Sequence, residues 1–223
     1  MKKTIITSIA LMMIGTSASA LANNAVYIDQ AGNNNTINID QIGTGNRVGS
    51  AGTASSLNGG SNNINIDMTG DGNSIDYTIY GDTNTIVKNI QGDSNAITFV
   101  CGDSGTNCTN VTSTMNLTGD SNTVTSTIKG DSITNVMNIT GDSNTVTQTI
   151  TTSNSTSNIT ILGDSNTLTS SMTGSSAGGG HHLVANITGT SNVHSITQSG
   201  SVDTTVNVIT NGSSNTVTIN TGN

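Results

Sequence analysis

Few side chains in this sequence carry reactive or metal-binding groups, and two cysteines are the first of them. Cys101 and Cys108 flank the segment Gly-Asp-Ser-Gly-Thr-Asn, and the sequence has no other cysteine. In an exported protein, two cysteines this close most often form one disulfide that closes a short loop. A metal-binding or redox pair is the alternative, but no His stands nearby. We therefore expect a disulfide between Cys101 and Cys108.

Histidines are the next candidates for metal binding. His181 and His182 follow a Gly-rich stretch, and His194 comes a short way later. Together these three residues form a candidate transition-metal set. Histidines that follow a Gly-rich loop are more often simply exposed, and the prediction is that no metal binds here.

Aspartates recur in the turns of the chain. Asp120, Asp142 and Asp164 follow one another at intervals of 22 residues and would stack along one edge of a layered fold. Stacked carboxylates repel one another, so their pKa values would be raised or they would recruit Ca²⁺. The alternative, which we favour, is a row of solvated turn residues whose charges are screened by salt.

Catalytic motifs are absent from the sequence. It contains no phosphate-binding loop and no His-Glu-x-x-His zinc motif. Its 13 acidic residues outnumber 5 basic ones, and 2% of its residues are aromatic, which is a poor composition for binding nucleic acid. The sequence therefore predicts a protein that is not an enzyme, needs no cofactor and binds no nucleic acid.

A short repeat positions all of these residues. From Gly119 the chain reads GDSNTVTSTIK, GDSITNVMNIT, GDSNTVTQTIT, TSNSTSNITIL and GDSNTLTSSMT, in units of 11 residues. Gly, Asp, Ser and Asn favour a turn, and the alternation of apolar and polar residues that follows has the period of a strand. Each unit is thus one strand and one tight turn, and two units make a layer of about 22 residues.

Stacked layers would bury a continuous apolar stripe that a single layer cannot bury. The sequence predicts an all-β fold, a flat, two-sided β-solenoid of strand-turn-strand layers. Identical side chains would then lie one layer apart, and amides would form ladders. The predicted assembly ladder consists of inward polar residues (Gln30, Asn35, Gln41, Asn46, Asn62, Asn73, Asn84, Asn95, Asn122, Asn144, Asn166, Asn215) and inward apolar residues (Ile37, Ile75, Ile86, Ile97, Val124, Val146, Leu168, Val217).

The N-terminal segment differs from the repeats. Residues 1–22 begin with Lys2 and Lys3, continue with an apolar run, and end in small residues around Ala20, as a secretory signal peptide does. The run is too short for a membrane helix, which is the alternative. We expect residues 23–223 to leave the cytoplasm as one solenoid domain without a membrane span.

Three segments interrupt the period. We predict loop insertions near 49–58, 101–118 and 174–183, because the spacing between turn glycines lengthens there. Lys88 falls on the inward parity of its unit. The pattern leaves open whether it points to solvent at a bulge or caps an irregular layer.

The first repeats carry a family resemblance. Gln30, Gly32, Asn35 and Gln41 fit the spacing Gln-x-Gly-x-x-Asn followed by a second Gln, and Asn46 falls at the same place in the next unit. This spacing resembles the curlin repeat of curli fibre subunits. The resemblance implies that these Gln and Asn side chains point inward and form ladders.

Later repeats keep the Gly-x-x-Asn frame but replace the Gln that precedes it, for example by Met68 and Ile79. The chain therefore resembles a divergent member of the curlin-repeat family. The resemblance implies a secreted bacterial protein, at the cell surface or outside the cell, that polymerises into amyloid fibres. Its expected partners are copies of itself, a dedicated export machinery and a nucleator subunit.

We predict a structural subunit that assembles end to end into an extracellular, curli-like fibre for biofilm matrix, adhesion and surface attachment. The last unit, Gly212-Ser-Ser-Asn-Thr-Val-Thr-Ile-Asn, is well formed, as a polymerising end requires. The alternative is a monomeric or surface-tethered adhesin or ice-binding protein that uses an outward Thr face, such as Thr123 and Thr125. Protected ends would favour this alternative, and open ends would favour the fibre.

Overall fold

A computed structural model of the protein shows how the repeats fold. It describes residues 24–43, 45–49, 55–70, 72–92, 94–102, 108–119, 121–141, 143–151, 154–163, 165–173, 181–189, 191–200, 204–212 and 214–222. The predicted signal peptide and the turn residues Asp120, Asp142 and Asp164 lie outside this part of the chain. No helix that could span a membrane occurs among the described residues.

Every regular element among the described residues is a strand, as expected from the alternation of apolar and polar residues. The strands are β1 (Asp29–Ala31), β2 (Thr36–Ile42), β3 (Ser55–Asn58), β4 (Asn62–Thr69), β5 (Ser74–Gln91), β6 (Ala96–Cys101), β7 (Cys108–Thr118), β8 (Thr123–Ile128), β9 (Gly130–Thr140), β10 (Val146–Ile150), β11 (Thr156–Leu162), β12 (Thr167–Thr173), β13 (His182–Thr188), β14 (Val193–Ser199), β15 (Thr205–Asn211) and β16 (Ile219–Thr221).

Successive strands alternate between two parallel sheets. The first sheet contains β1, β3, the start of β5, β6, β8, β10, β12, β14 and β16. The second sheet contains β2, β4, the end of β5, β7, β9, β11, β13 and β15. Long β5 passes through the turn from one sheet to the other.

The register confirms the predicted β-solenoid. Val124 pairs with Val146, and Val146 pairs with Leu168, so equivalent residues of successive units lie side by side. The coil averages about 23 residues per turn over about 7 turns. The step is 22 residues between Asn122 and Asn144 and 27 residues between Asn95 and Asn122, where an insertion enters.

The predicted insertions were wrong in extent, because each contains strand residues. The segment 101–118 includes all of β7, whose Val111, Ser113, Met115 and Leu117 point inward. This strand alternates correctly although it lacks a Gly-x-x-Asn start, which is why the turn spacing alone did not reveal it. Likewise β3 lies within 49–58, and β13 begins within 174–183.

Close packing of the coils explains the turn glycines that precede the first sheet. A Cβ on Gly141 would lie 1.5 Å from the carbonyl oxygen of Gly119 in the preceding coil, so no larger residue fits. The opposite turn shows the same close approach, since a Cβ on Gly130 would lie 1.4 Å from the carbonyl oxygen of Cys108. In six of the described coils this turn also contains one non-glycine residue in a left-handed conformation. Ser132 (φ 53°) and Asn154 (φ 55°) are examples, and both residue types tolerate such a turn.

Candidate assembly ladders and open edges

A long asparagine ladder runs along the turn that leads into the first sheet. Each side-chain Nδ2 donates a hydrogen bond to Oδ1 of the Asn in the preceding coil, over 2.5–2.9 Å. Only the last member is exposed, because no described coil lies beyond it. The ladder consists of Asn46, Asn73, Asn95, Asn122, Asn144, Asn166, Asn192 and Asn215. The assembly ladder as predicted from the sequence omitted Asn192.

A second, shorter ladder occupies the opposite turn. Asn35 donates to Asn62 over 2.9 Å, and Asn62 donates to Asn84 over 2.8 Å. The same column continues with Val111 and Ile133, which are buried but apolar. The amide ladder therefore ends after Asn84, because the later units start with Gly-x-x-Ile or lack the frame altogether.

Gln30 and Gln41 do not form a glutamine ladder. Gln30 donates from Nε2 to Asn35 Oδ1 over 2.8 Å, so it supports the shorter asparagine ladder. Gln41 is buried and donates to the carbonyl oxygen of Arg47 over 3.2 Å. Its neighbour in the next coil is Met68, which cannot continue an amide row.

The predicted apolar residues form columns inside the coil. Ile75, Ile97, Val124, Val146 and Leu168 lie in register and are fully buried. In the facing sheet, Ile37, Ile64 and Ile86 form a similar column. Val217 departs from the prediction: 44% of it is exposed, because it lies in the last described coil.

Lys88 does not reach solvent and does not cap a layer. It is fully buried in the column between Ile66 and Met115. Its Nζ donates to Ser113 Oγ over 3.1 Å and lies 4.0 Å from the centroid of the Phe99 ring in the facing sheet. Burial lowers the pKa of Lys88 to about 7.

The three histidines are not gathered into a metal site. No cluster of three or more His, Cys or Asp side chains that could hold a metal occurs among the described residues. The sequence predicted that His181 is exposed, but it is buried. It stacks beside Ser155, immediately before β13. His194 continues the column of Leu168, and burial lowers its pKa.

Cys101 and Cys108 form a disulfide that joins the end of β6 to the start of β7. Both residues are fully buried, and both lie in strands rather than in an extra loop. The bond therefore closes the turn between the two sheets in the coil where an insertion enters.

An exposed amide row on the second sheet was missed by sequence reasoning. Asn138 donates to Asn116 over 2.9 Å, Asn116 donates to Asn89 over 2.8 Å, and Asn89 donates to Asp67 over 2.7 Å. The repeated pattern Asn-(Ile or Leu)-x-Gly at 89–92, 116–119 and 138–141 was an available signal. It places each Asn on the outward parity of its strand.

Both ends of the described coil are open strand edges. At one end, Val26 and Ile28 are only partly buried, and Ile37 and Ile39 lie beside them in the first coil of the second sheet. At the other end the edge strands are β15 and β16. In these strands Val206 and Val208 are partly buried, and Ile209 and Ile219 are exposed, as is Val217 just before β16. No described residue caps either edge.

Comparison of the chain with models of protein families, with curated proteins and with solved structures found no match.

Proposed function

We propose that this protein is a structural subunit that adds end to end to copies of itself and forms an extracellular, amyloid-like fibre. The observation that carries the proposal is that, among the described residues, no strand pairs with the outer edges of β1 and β2 or of β15 and β16, where apolar rows lie. An uncovered parallel strand recruits another strand, so natural solenoids normally blunt such edges. Here the last described repeat keeps its strand, β16.

Growth would occur by strand addition. The edge of β15 and β16 offers backbone N–H and C=O groups at the strand spacing of about 4.7–4.9 Å, and an incoming coil pairs with them. The ladder ending at Asn215 supports correct register, because a mismatched amide would lose its hydrogen bond in a buried site. Apolar rows supply the free energy, since each buried side chain leaves water.

The cellular setting in this proposal follows from the N-terminal segment and from the curlin-like spacing around Gln30, Asn35 and Gln41. The signal-peptide features of residues 1–22 support export. The partners are copies of the chain, an export machinery and a nucleator subunit. The proposed roles are biofilm matrix, adhesion and surface attachment, with no catalytic activity.

The test is fibre formation by the purified protein at neutral pH, followed by electron microscopy and fibre diffraction. Long fibres with a meridional spacing of about 4.7–4.8 Å are expected. Soluble, folded monomers that never assemble would refute the proposal. The double variant Asn144→Lys/Val146→Asp should not form fibres, because both changes bury charge within the stack.

A second candidate function is supported by the outer face of the first sheet. Thr98, Thr125, Thr147 and Thr169 lie in one row across four coils. Thr127 and Thr149 extend a parallel row beside it. Such a regular hydroxyl array would suit an ice-binding protein or an adhesin that stays monomeric or tethered to the surface. Thermal hysteresis that is lost on Thr147→Lys, in a protein that forms no fibres, would favour this candidate.

A further inference from the structure

The path of the described chain begins and ends in the same sheet. β1 is the first strand and β16 is the last, and both belong to the first sheet. Between them the strands alternate strictly between the two sheets. The strand that would follow β16 on this path therefore belongs on β15, in the second sheet.

This arrangement restricts how a second copy can join. Suppose that the copy stacks without rotation and that its β1 pairs with β16. Its β2 then lies one strand spacing too far along the fibre axis to pair with β15, and β15 stays uncovered. If instead its β2 paired with β15, its β1 would collide with β16. Either arrangement leaves a gap or a clash, and buried unpaired backbone groups are costly.

We propose that successive subunits of the fibre are related by a half turn about the fibre axis, so that β1 pairs with β15 and β2 pairs with β16 of the neighbouring copy. This inference rests on the proposed assembly into fibres. The half turn keeps every pair parallel, because strands of the two sheets run in opposite directions across the coil. The first sheet of one subunit then continues the second sheet of the next.

The sequences of the two end units match under this arrangement. Residues 32–39 read Gly-Asn-Asn-Asn-Thr-Ile-Asn-Ile, and residues 212–219 read Gly-Ser-Ser-Asn-Thr-Val-Thr-Ile. One register places Gly32 on Gly212 and Asn35 on Asn215. The glycine match matters because a Cβ on Gly212 would itself lie 1.7 Å from the oxygen of Gly189, and each stacked coil needs the same small residue.

The same register also matches the apolar rows. It places Ile37 on Val217 and Ile39 on Ile219, and in the other sheet it places Val26 on Val206 and Ile28 on Val208. Ile37 and Ile39 already pack on the next coil, whereas the other side chains in these rows are partly buried or exposed at the two edges. Their burial between two subunits supplies the hydrophobic free energy of association.

Charged side chains do not oppose this contact between subunits. Asp29 of β1 would lie beside Ile209, and Asp40 of β2 would lie beside Asn220. No carboxylate meets another, so the repulsion that like charges cause between paired strands does not arise. Along each side of such a fibre, the outer face of the first sheet in one subunit is followed by the outer face of the second sheet in the next subunit.

Engineered cysteines distinguish the half turn from unrotated stacking. Directly paired residues of adjacent strands lie about 4.7–4.9 Å apart, which suits a disulfide. The exposed residues Thr36 and Thr216 meet only with a half turn. Tyr27 and Thr218, also exposed, meet only without rotation and serve as the matched control. The full chain is expressed in a secreting host as variants that each carry one added cysteine beside the Cys101–Cys108 disulfide, and the variants are mixed in pairs before assembly.

The expected result is that oxidised fibres from Thr36→Cys with Thr216→Cys yield covalent dimers, whereas Tyr27→Cys with Thr218→Cys yields none. The reverse outcome, or fibres in which neither pair forms dimers, overturns the half turn but leaves end-to-end assembly intact. A failure of the wild-type protein to form any fibres overturns the proposed function itself. Circular dichroism of each variant before mixing confirms that it folds.

Discussion

The ammonium nitrogen of Lys88 lies 4.0 Å from the centroid of the Phe99 ring, and both residues are fully buried on facing sheets. The ring face attracts the cation, and Ser113 Oγ accepts its hydrogen bond. No carboxylate pairs with Lys88 among the described residues, so desolvation dominates and lowers its pKa to about 7. The contact therefore couples the stability of the coil to pH.

The first prediction concerns the sign of that coupling. The pKa of Lys88 is about 7 in the folded protein, whereas an ordinary lysine side chain has a pKa of 10.5, so the unfolded chain binds more protons between these two values. Stability should therefore rise as pH increases from about 7 to about 10 and should be independent of this group below pH 7. Urea unfolding measured at several pH values tests the slope.

The matched variants are Lys88→Met and Lys129→Met. Lys88→Met should abolish the rise with pH, because Met fits between Ile66 and Met115 and does not titrate. Lys129 is only partly buried, so its replacement should leave the slope unchanged. An unchanged slope in Lys88→Met would show that Lys88 is not the group responsible.

The second prediction tests the long asparagine ladder. Asn144 donates to Asn122 over 2.5 Å and accepts from Asn166 over 2.7 Å, and all three are buried. Asn144→Ala leaves Asn122 Oδ1 without its donor and Asn166 Nδ2 without its acceptor, although each residue keeps its other ladder bond, to Asn95 and Asn192. A buried polar atom that loses its partner costs about 1–3 kcal/mol. Chemical denaturation should therefore show a marked loss of stability.

Asn138→Ala is the control, because Asn138 donates to Asn116 in an exposed row where water can replace it. Its cost should stay below about 1 kcal/mol. Equal losses in the two variants would mean that burial of the ladder contributes little.

The third prediction concerns the disulfide. Cys101 and Cys108 are separated by 7 residues, and closing so short a loop in the unfolded chain is worth about 2–3 kcal/mol. The variant Cys101→Ala/Cys108→Ala should lose roughly that stability. A reducing agent should lower the melting temperature of the wild-type protein and leave that of the variant unchanged. A variant that still responds to reductant would contradict this assignment.

The period of the repeats was sufficient to predict the solenoid, because Gly-x-x-Asn followed by alternating apolar residues dictates a turn and a strand in every unit. The columns through Val124, Val146 and Leu168 follow from the strict 11-residue spacing. β7 was missed because its strand alternation is not preceded by that turn frame. Because the turn spacing gives no signal here, the position of β7 is known only from its pairing with β5 and β9.

The environment of Lys88 could not be predicted from the sequence, for a different reason. Parity indicates that Lys88 points inward, but its burial depends on Phe99, which belongs to the facing sheet. Contacts across the core are set by how the two sheets pack, and an insertion between them shifts that alignment. The exposed row ending at Asp67 lies on the outer face of the second sheet, which the inward apolar pattern does not constrain.

The fourth prediction separates the end of the coil from its sides. Ile219 and Leu162 are similarly exposed, at 48% and 44%, but Ile219 lies on the edge strand β16, and Leu162 lies on the outer face of β11. Ile219→Lys places a charge where the next subunit must pack, and lysine on an edge strand blocks strand addition.

Fibre growth by Ile219→Lys should slow by more than about tenfold, whereas Leu162→Lys should grow fibres at nearly the wild-type rate, because its side chain stays in water whether or not the coil is extended. Seeded growth measured by light scattering gives the rates, and circular dichroism shows that both monomers are folded. If Leu162→Lys blocks growth and Ile219→Lys does not, subunits associate through their faces rather than their ends. The open edge at β16 would then be a consequence of the repeat and not the site of assembly.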